Sequence, residues 1–115
     1  MKVLITGTSQ GIGKAIAELF LGRGHEVVGI DRQENTIARE GYTHFIADIR
    51  DKDKLPDISG VEILINNAGV QNEDDIDVNL KSLIYITERY GMQKNIKSIL
   101  NIGSALRVGV RETSP

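Results

Sequence analysis

Lys2-Val3-Leu4-Ile5-Thr6 runs without a break into Gly7-Thr8-Ser9-Gln10-Gly11-Ile12-Gly13. The first five residues are apolar and β-prone, as in a short buried strand. From Ile12 the apolar residues Ile12, Ala15, Ile16, Leu19 and Phe20 return at three- and four-residue steps, the mark of one helix face. Gly22 and Gly24 supply the stop. A glycine cluster between a strand and a helix is a phosphate-binding context. Gly7 permits a tight turn. Gly11 lets backbone approach a pyrophosphate, with the free N–H groups of the helix N-terminus behind it. Gly13 lets the helix pack close to the sheet, and Ser9, Gln10 and Ile12 are the loop's remaining candidate contacts. The spacing is G-x3-G-x-G rather than the G-x-G-x-x-G of ordinary dinucleotide folds.

Outward from this stretch the chain alternates apolar runs with connectors. Glu26–Asp31, Thr43–Ala47, Val61–Ile65 and Ile96–Ile102 read as four more strands. Residues 32–42 leave room for one or two helical turns, and 49–60 are a charged connector with Pro56 and Gly60. Ile76, Leu80, Leu83, Ile84, Thr87 and Tyr90 form the stripe of a long helix, with Asp74 or Asp75 as N-cap and Gly91 near its end. Five strands so joined imply an α/β, doubly wound parallel sheet.

Composition narrows the chemistry. The 115 residues suit one domain, and 40% of them are apolar, enough for a packed core. Fourteen Lys and Arg against sixteen Asp and Glu give a net charge of -2, which excludes a strongly basic, nucleic-acid-grasping surface. With no Cys, disulfides and thiolate chemistry are excluded, and two His make a metal centre unexpected. No apolar run reaches the ~20 residues of a membrane span. No basic segment precedes the first strand, so no signal peptide is expected and the expected location is cytoplasmic.

Asp31 ends the second strand, 18 residues past Gly13. A carboxylate there can accept hydrogen bonds from the adenosine ribose hydroxyls and would repel a 2′-phosphate. The expected cofactor is therefore NAD, with NADP second. Arg32 beside it could instead pair with a phosphate.

Thr6 to Gly13 resembles the glycine signature of the short-chain dehydrogenases and reductases, and four later elements agree in order. Asp48-Ile49 matches the pair that touches adenine in that family. Asn66-Asn67-Ala68-Gly69 is similar to its N-N-A-G, with Asn67, Ala68 and Gly69 lying against the nucleotide. Asn79 matches the Asn within the long helix that holds a proton-relay water. Asn101-Ile102-Gly103-Ser104 matches the segment carrying the catalytic Ser. The resemblance spans residues 6 to 104 and implies a Rossmann-like sheet in the order 3-2-1-4-5. A methyltransferase also ends its second strand in an acidic residue, but the two Asn-containing motifs speak against that fold.

The resemblance also implies an oxidoreductase that moves hydride between NAD(H) and an alcohol or carbonyl, with Ser104 and Asn79 as its candidate catalytic residues here. In the family a Tyr follows the Ser by a dozen or so residues, with a Lys four further on. Only eleven residues follow Ser104 here, and none is Tyr. Tyr90-Gly91-Met92-Gln93-Lys94 spells Y-x-x-x-K but precedes the Ser, so it is read as a decoy. The expectation is a single dinucleotide-binding domain over residues 1–115, truncated after the fifth strand. It would bind the dinucleotide with little turnover, or serve as a regulatory module. The fifth strand's open edge and the long helix's apolar stripe further imply a homo-oligomer.

Overall fold

The computed structural model describes residues 1–68 and 76–102. Five strands and two helices follow in the order β1 (Lys2–Thr6), α1 (Gly11–Gly22), β2 (Glu26–Asp31), β3 (Tyr42–Ile46), β4 (Ile63–Asn66), α2 (Ile76–Gly91) and β5 (Ser98–Asn101). A single 3-10 turn, Lys52–Lys54, interrupts the connector between β3 and β4. The sheet order is β3-β2-β1-β4-β5, every pair parallel, as the strand pattern implies. Leu4 stands level with Val28 on one side and Leu64 on the other, so the three central strands share one row.

Burial on both faces explains why these strands are continuous apolar runs rather than alternating ones. Val3, Ile5, Val27 and Ile65 face α1, where Ala17, Leu21 and Ile37 close the layer. Leu4, Val28, Ile30 and Leu64 face the opposite way, covered by Ile86 and Tyr90 of α2 and by Leu55, Ile58 and Val61 of the long connector. Arg89 fastens that connector by donating to the carbonyls of Leu55 and Pro56 and to the Asp57 carboxylate. Gln93 completes it, accepting from the Val61 N–H and donating to the Ile58 carbonyl.

Both helix faces differ from the sequence pattern. In α1 the inward row is Gly13, Ala17 and Leu21, while Ile12 and Leu19 are 62% and 54% exposed. The cause is Gly13: a Cβ there would overlap the Gly7 carbonyl and crowd Asn67 Nδ2, so this row alone can approach so closely. In α2 the buried positions are Ser82, Ile86, Tyr90 and Gly91, and Leu80 and Ile84 lie outside at 39% and 55% exposure.

Strand ends shift as well. Val61 lies before β4 because its N–H is taken by Gln93 rather than by a neighbouring strand. Pairing of β5 begins where Lys97 and Ser98 both donate to the Glu62 carbonyl. Residues 32–41 hold no helix. Their polar groups bond locally and to the first loop instead: Asn35 Oδ1 accepts from the Ile37 N–H, and the Thr36 hydroxyl donates to the Ser9 carbonyl. Asp74 and Asp75 lie outside the described residues.

Two glycine substitutions separate close packing from helix propensity. Gly13→Ala is expected to destabilise by about 1–3 kcal/mol through overpacking. Gly22→Ala, whose new methyl would meet nothing nearer than 3.9 Å, is expected to gain about 0.5 kcal/mol. Urea unfolding of the two variants checks both signs.

Candidate functional site

The strand order reverses on either side of β1, and parallel doubly wound sheets take ligands beyond the strand carboxyl ends at such a point. A cleft of about 610 Å³ lies there. Its walls are the first loop (Gly7, Gln10, Gly11, Ile12), the end of β2 (Ile30, Asp31, Arg32, Gln33), the turn after β3 (Ala47, Asp48, Ile49, Arg50) and the turn after β4 (Asn67, Ala68).

The loop's shape follows from its residues. Gly7 and Gly11 have φ of +80° and +62°, the left-handed region that other residues adopt at a cost. The Gly7 N–H donates to the Ile30 carbonyl, which ties the turn to β2. A side chain at Gly11 would meet nothing within 4 Å, so its backbone stands open beside the first turn of α1. Among the described residues no side chain caps that helix, and its first N–H groups remain donors for a bound anion.

The turn after β4 is fixed against the same loop. Thr6 Oγ1 accepts the N–H groups of Asn67 and Ala68, both at 3.0 Å. Asn67 Nδ2 donates to the Gly7 carbonyl at 3.0 Å. Asn66 turns the other way, donating to Asn101 Oδ1 at 2.8 Å and to Thr87 Oγ1 at 3.3 Å. The two adjacent asparagines therefore do different work: Asn66 joins β4 to β5 and α2, and Asn67 holds the mouth of the cleft.

Asp31 is already engaged. One carboxylate oxygen accepts the Ser9 N–H at 2.9 Å and the other the Gln33 N–H at 2.8 Å. Each oxygen keeps acceptor capacity, so the carboxylate can still take ribose hydroxyls. Ser9 itself is buried and supports the site from behind, its hydroxyl donating to the Glu34 carbonyl at 2.8 Å. Gly13 likewise underlies the loop rather than lining the cleft. Asp48 accepts from Arg50 Nε and Nη2, the latter at 2.7 Å. Those charge-assisted bonds hold its carboxyl below the usual carboxylate range, with Arg32 a smaller influence.

The structure thus gathers Gly7, Gln10, Gly11, Ile12, Asp31, Arg32, Asp48, Ile49, Asn67 and Ala68 around one cleft. Gly69 and Ser104 lie outside the described residues. Asn79 sits in the first turn of α2, half-buried. Gln33 and Arg50 are additions that the sequence reading missed. Gln33 acts through its backbone, which side-chain identity cannot signal, whereas Asp48-x-Arg50 is a spacing that places opposite charges together. Tyr90, the tyrosine of the decoy, is 1% exposed and donates its hydroxyl to the Pro56 carbonyl on the side of the sheet away from α1. Burial raises its pKa, and it has no part in the cleft.

Thr6→Val keeps the shape of the side chain but removes the acceptor for two N–H groups. It is expected to cost about 2–4 kcal/mol, and Thr6→Ser under about 1 kcal/mol. Equilibrium unfolding of both variants tests the difference.

Comparison with known proteins gives a consistent picture. The family model for short chain dehydrogenase matches residues 1–108. An NADP-dependent 3-hydroxy acid dehydrogenase of Shigella flexneri is 31% identical over 134 aligned positions, covering 90% of this chain and 54% of that protein. A 3-oxoacyl-(acyl-carrier-protein) reductase of Buchnera aphidicola is 38% identical over 92 positions, covering 68% of this chain and 37% of that protein. The chain therefore spans about half the length, or less, of these curated relatives. Among solved structures, a short chain dehydrogenase from Leptospira borgpetersenii with bound NAD+ shares the fold. Its TM-score is 0.75 at 24% identity, over 95% of this chain and 53% of that one.

Proposed function

This chain belongs to the short chain dehydrogenase family, and from that premise we propose that its cleft binds a nicotinamide dinucleotide, NAD(H) in preference to NADP(H). Residues 1–115 form one dinucleotide-binding domain in this reading. The observation that carries it is Asp31: a carboxylate fixed by two backbone N–H groups at the rim of the cleft, beside the glycine loop. The loop fits a pyrophosphate through Gly11's open backbone and the N-terminus of α1. Asp31 orients the adenosine ribose, and Asp48 and Ile49 border the adenine. Asn67 and Ala68 hold the backbone against which the second ribose lies.

The nicotinamide, when bound, supplies the hydride. The protein's share is orientation and proton handling. Ser104 would polarise an alcohol or carbonyl, and Asn79 would hold the relay water. The full-length activity is that of an oxidoreductase on such a pair, and the location we propose is cytoplasmic. Among the described residues no helix is long and apolar enough to cross a membrane.

NAD(H) is expected to bind the unaltered chain more tightly than NADP(H). Loss of charge-assisted bonds in Asp31→Ala should weaken NAD(H) by roughly tenfold or more and narrow the ratio between the two. Calorimetric titration with both cofactors checks this; equal or tighter NADP(H) binding by the unaltered chain would hand the choice to Arg32. The 115-residue chain alone is expected to show no hydride transfer above background across a panel of alcohols and ketones. Turnover abolished by Tyr90→Phe would contradict that.

Self-association is a further part of this reading. β5 is an edge strand among the described residues, with Ile99 38% and Leu100 52% exposed, and α2 presents Leu80 and Ile84 outward. Sedimentation over a wide concentration range is expected to show a homo-oligomer. Leu100→Lys should weaken it where the edge is responsible and leave it intact where α2 is.

A further inference from the structure

One polar chain beneath the cleft is not used by the cofactor reading. Gly29 of β2 has no side chain, and a Cβ there would overlap both the Tyr42 hydroxyl and Thr8 Oγ1. Through that gap the Tyr42 phenol reaches from β3 across β2 to Thr8 Oγ1, at 2.6 Å. The same hydroxyl lies 2.6 Å from His44 Nδ1, and His44 Nε2 lies 2.9 Å from the Gln33 carbonyl. A carbonyl only accepts, so Nε2 carries the hydrogen. In the neutral imidazole Nδ1 then accepts from Tyr42, and the phenol oxygen accepts from Thr8. Every donor has a partner, and the direction is set from the Gln33 end.

Protonating His44 breaks this order. Both ring nitrogens become donors, so Nδ1–H donates to the Tyr42 oxygen and Tyr42 donates to Thr8. Thr8 is fully buried and makes no other hydrogen bond among the described residues. Its hydrogen would be left in a dry site without an acceptor, an unfavourable state for a buried polar group. Both ends of the chain reach the adenosine side of the cleft. Thr8 lies between Gly7 and Ser9, whose N–H holds Asp31. The Gln33 peptide accepts from His44 through its carbonyl and donates to Asp31 through its N–H.

We propose that Tyr42 and His44 are positioning residues for the glycine loop, and that neutral His44 is the form in which the cleft takes the dinucleotide. This rests on the cofactor reading above. Among the described residues β3 is an edge of the sheet, so β2 and the connector after it are the elements against His44. The titratable groups around it are Tyr42, its ring centroid 5.7 Å away, and Asp31, which acts through space on the Tyr42 phenol. The exposed Arg32 and Glu34 flank Gln33 in the connector, and no ion pair joins His44 to any of these. Burial, chiefly, raises the pKa of Tyr42, so the phenol keeps its hydrogen.

The test is NADH titration of the 115-residue chain at about pH 8 and about pH 5.5, either side of the ordinary histidine value near 6.5. Affinity is expected to fall by about tenfold at the lower pH. His44→Gln and Tyr42→Phe should each hold this change under about twofold. His25, the other histidine, lies beside the Met1 amine at the start of β2, so a pH response surviving in His44→Gln assigns it elsewhere than His44 and overturns the proposal. Circular dichroism verifies that each variant is folded; should His44→Gln not fold, Tyr42→Phe decides. Equal binding at both pH values overturns the relay alone, and no binding at either overturns the cofactor reading. A cofactor-free arm keeps the two apart. The Thr8 and Ser9 amide resonances should follow the His44 titration in the unaltered chain and stay still in Tyr42→Phe; resonances that move equally in both overturn the proposal.

Discussion

The contact between Gly13 and the Gly7 carbonyl governs the rest of the structure. No side chain fits between them, so α1 lies close against the first loop. That approach fixes the rotation of α1, turns Ala17 and Leu21 onto the sheet, and leaves Ile12 and Leu19 outside. It also sets the first turn of α1 behind Gly11, where free N–H groups and an open backbone face the cleft. Asn67 enters the same junction from β4 and donates to the Gly7 carbonyl. One crowded point therefore joins β1, α1 and β4, the three elements that meet where the strand order reverses.

Around this junction the polar side chains act mainly on backbone. Thr6 receives two N–H groups from the turn after β4, Asp31 receives two from the first loop and the connector, and the Ser9 hydroxyl donates to a connector carbonyl. Among the described residues no buried side-chain nitrogen or oxygen lacks a partner. A cleft built this way is held in shape before any ligand arrives, which reduces the ordering that binding requires. It also means that groups suited to a cofactor have a structural duty. A substitution at Asp31 acts on the loop as well as on the proposed ribose contact, so a ratio of affinities is more informative than either one.

Much of this was legible in the sequence. Strand number, parallel order and the gathering of Gly7, Asp31, Asp48 and Asn67 at one edge follow from apolar runs and motif spacing. What escaped was set by packing. The inward face of α1 depends on Gly13, a residue that carries no hydrophobic signal, and the apolar stripe of α2 splits, with Tyr90 buried while Leu80 and Ile84 lie outside. The polar connector at 32–41 gave no hint that its backbone would bond to Ser9 and His44. Periodicity sees side chains along one element, whereas these contacts are made between elements and by main-chain atoms.

The most direct measurement is amide chemical-shift mapping of the 115-residue chain as NADH is added. Shifts should concentrate at Gly11, Ile12, Asp31, Asp48 and Ala68, with Ile58 and Gln93 on the face covered by α2 unmoved. Shifts centred on that second face, or none at any concentration of NADH at neutral pH, would contradict a dinucleotide site at the carboxyl edge of the sheet.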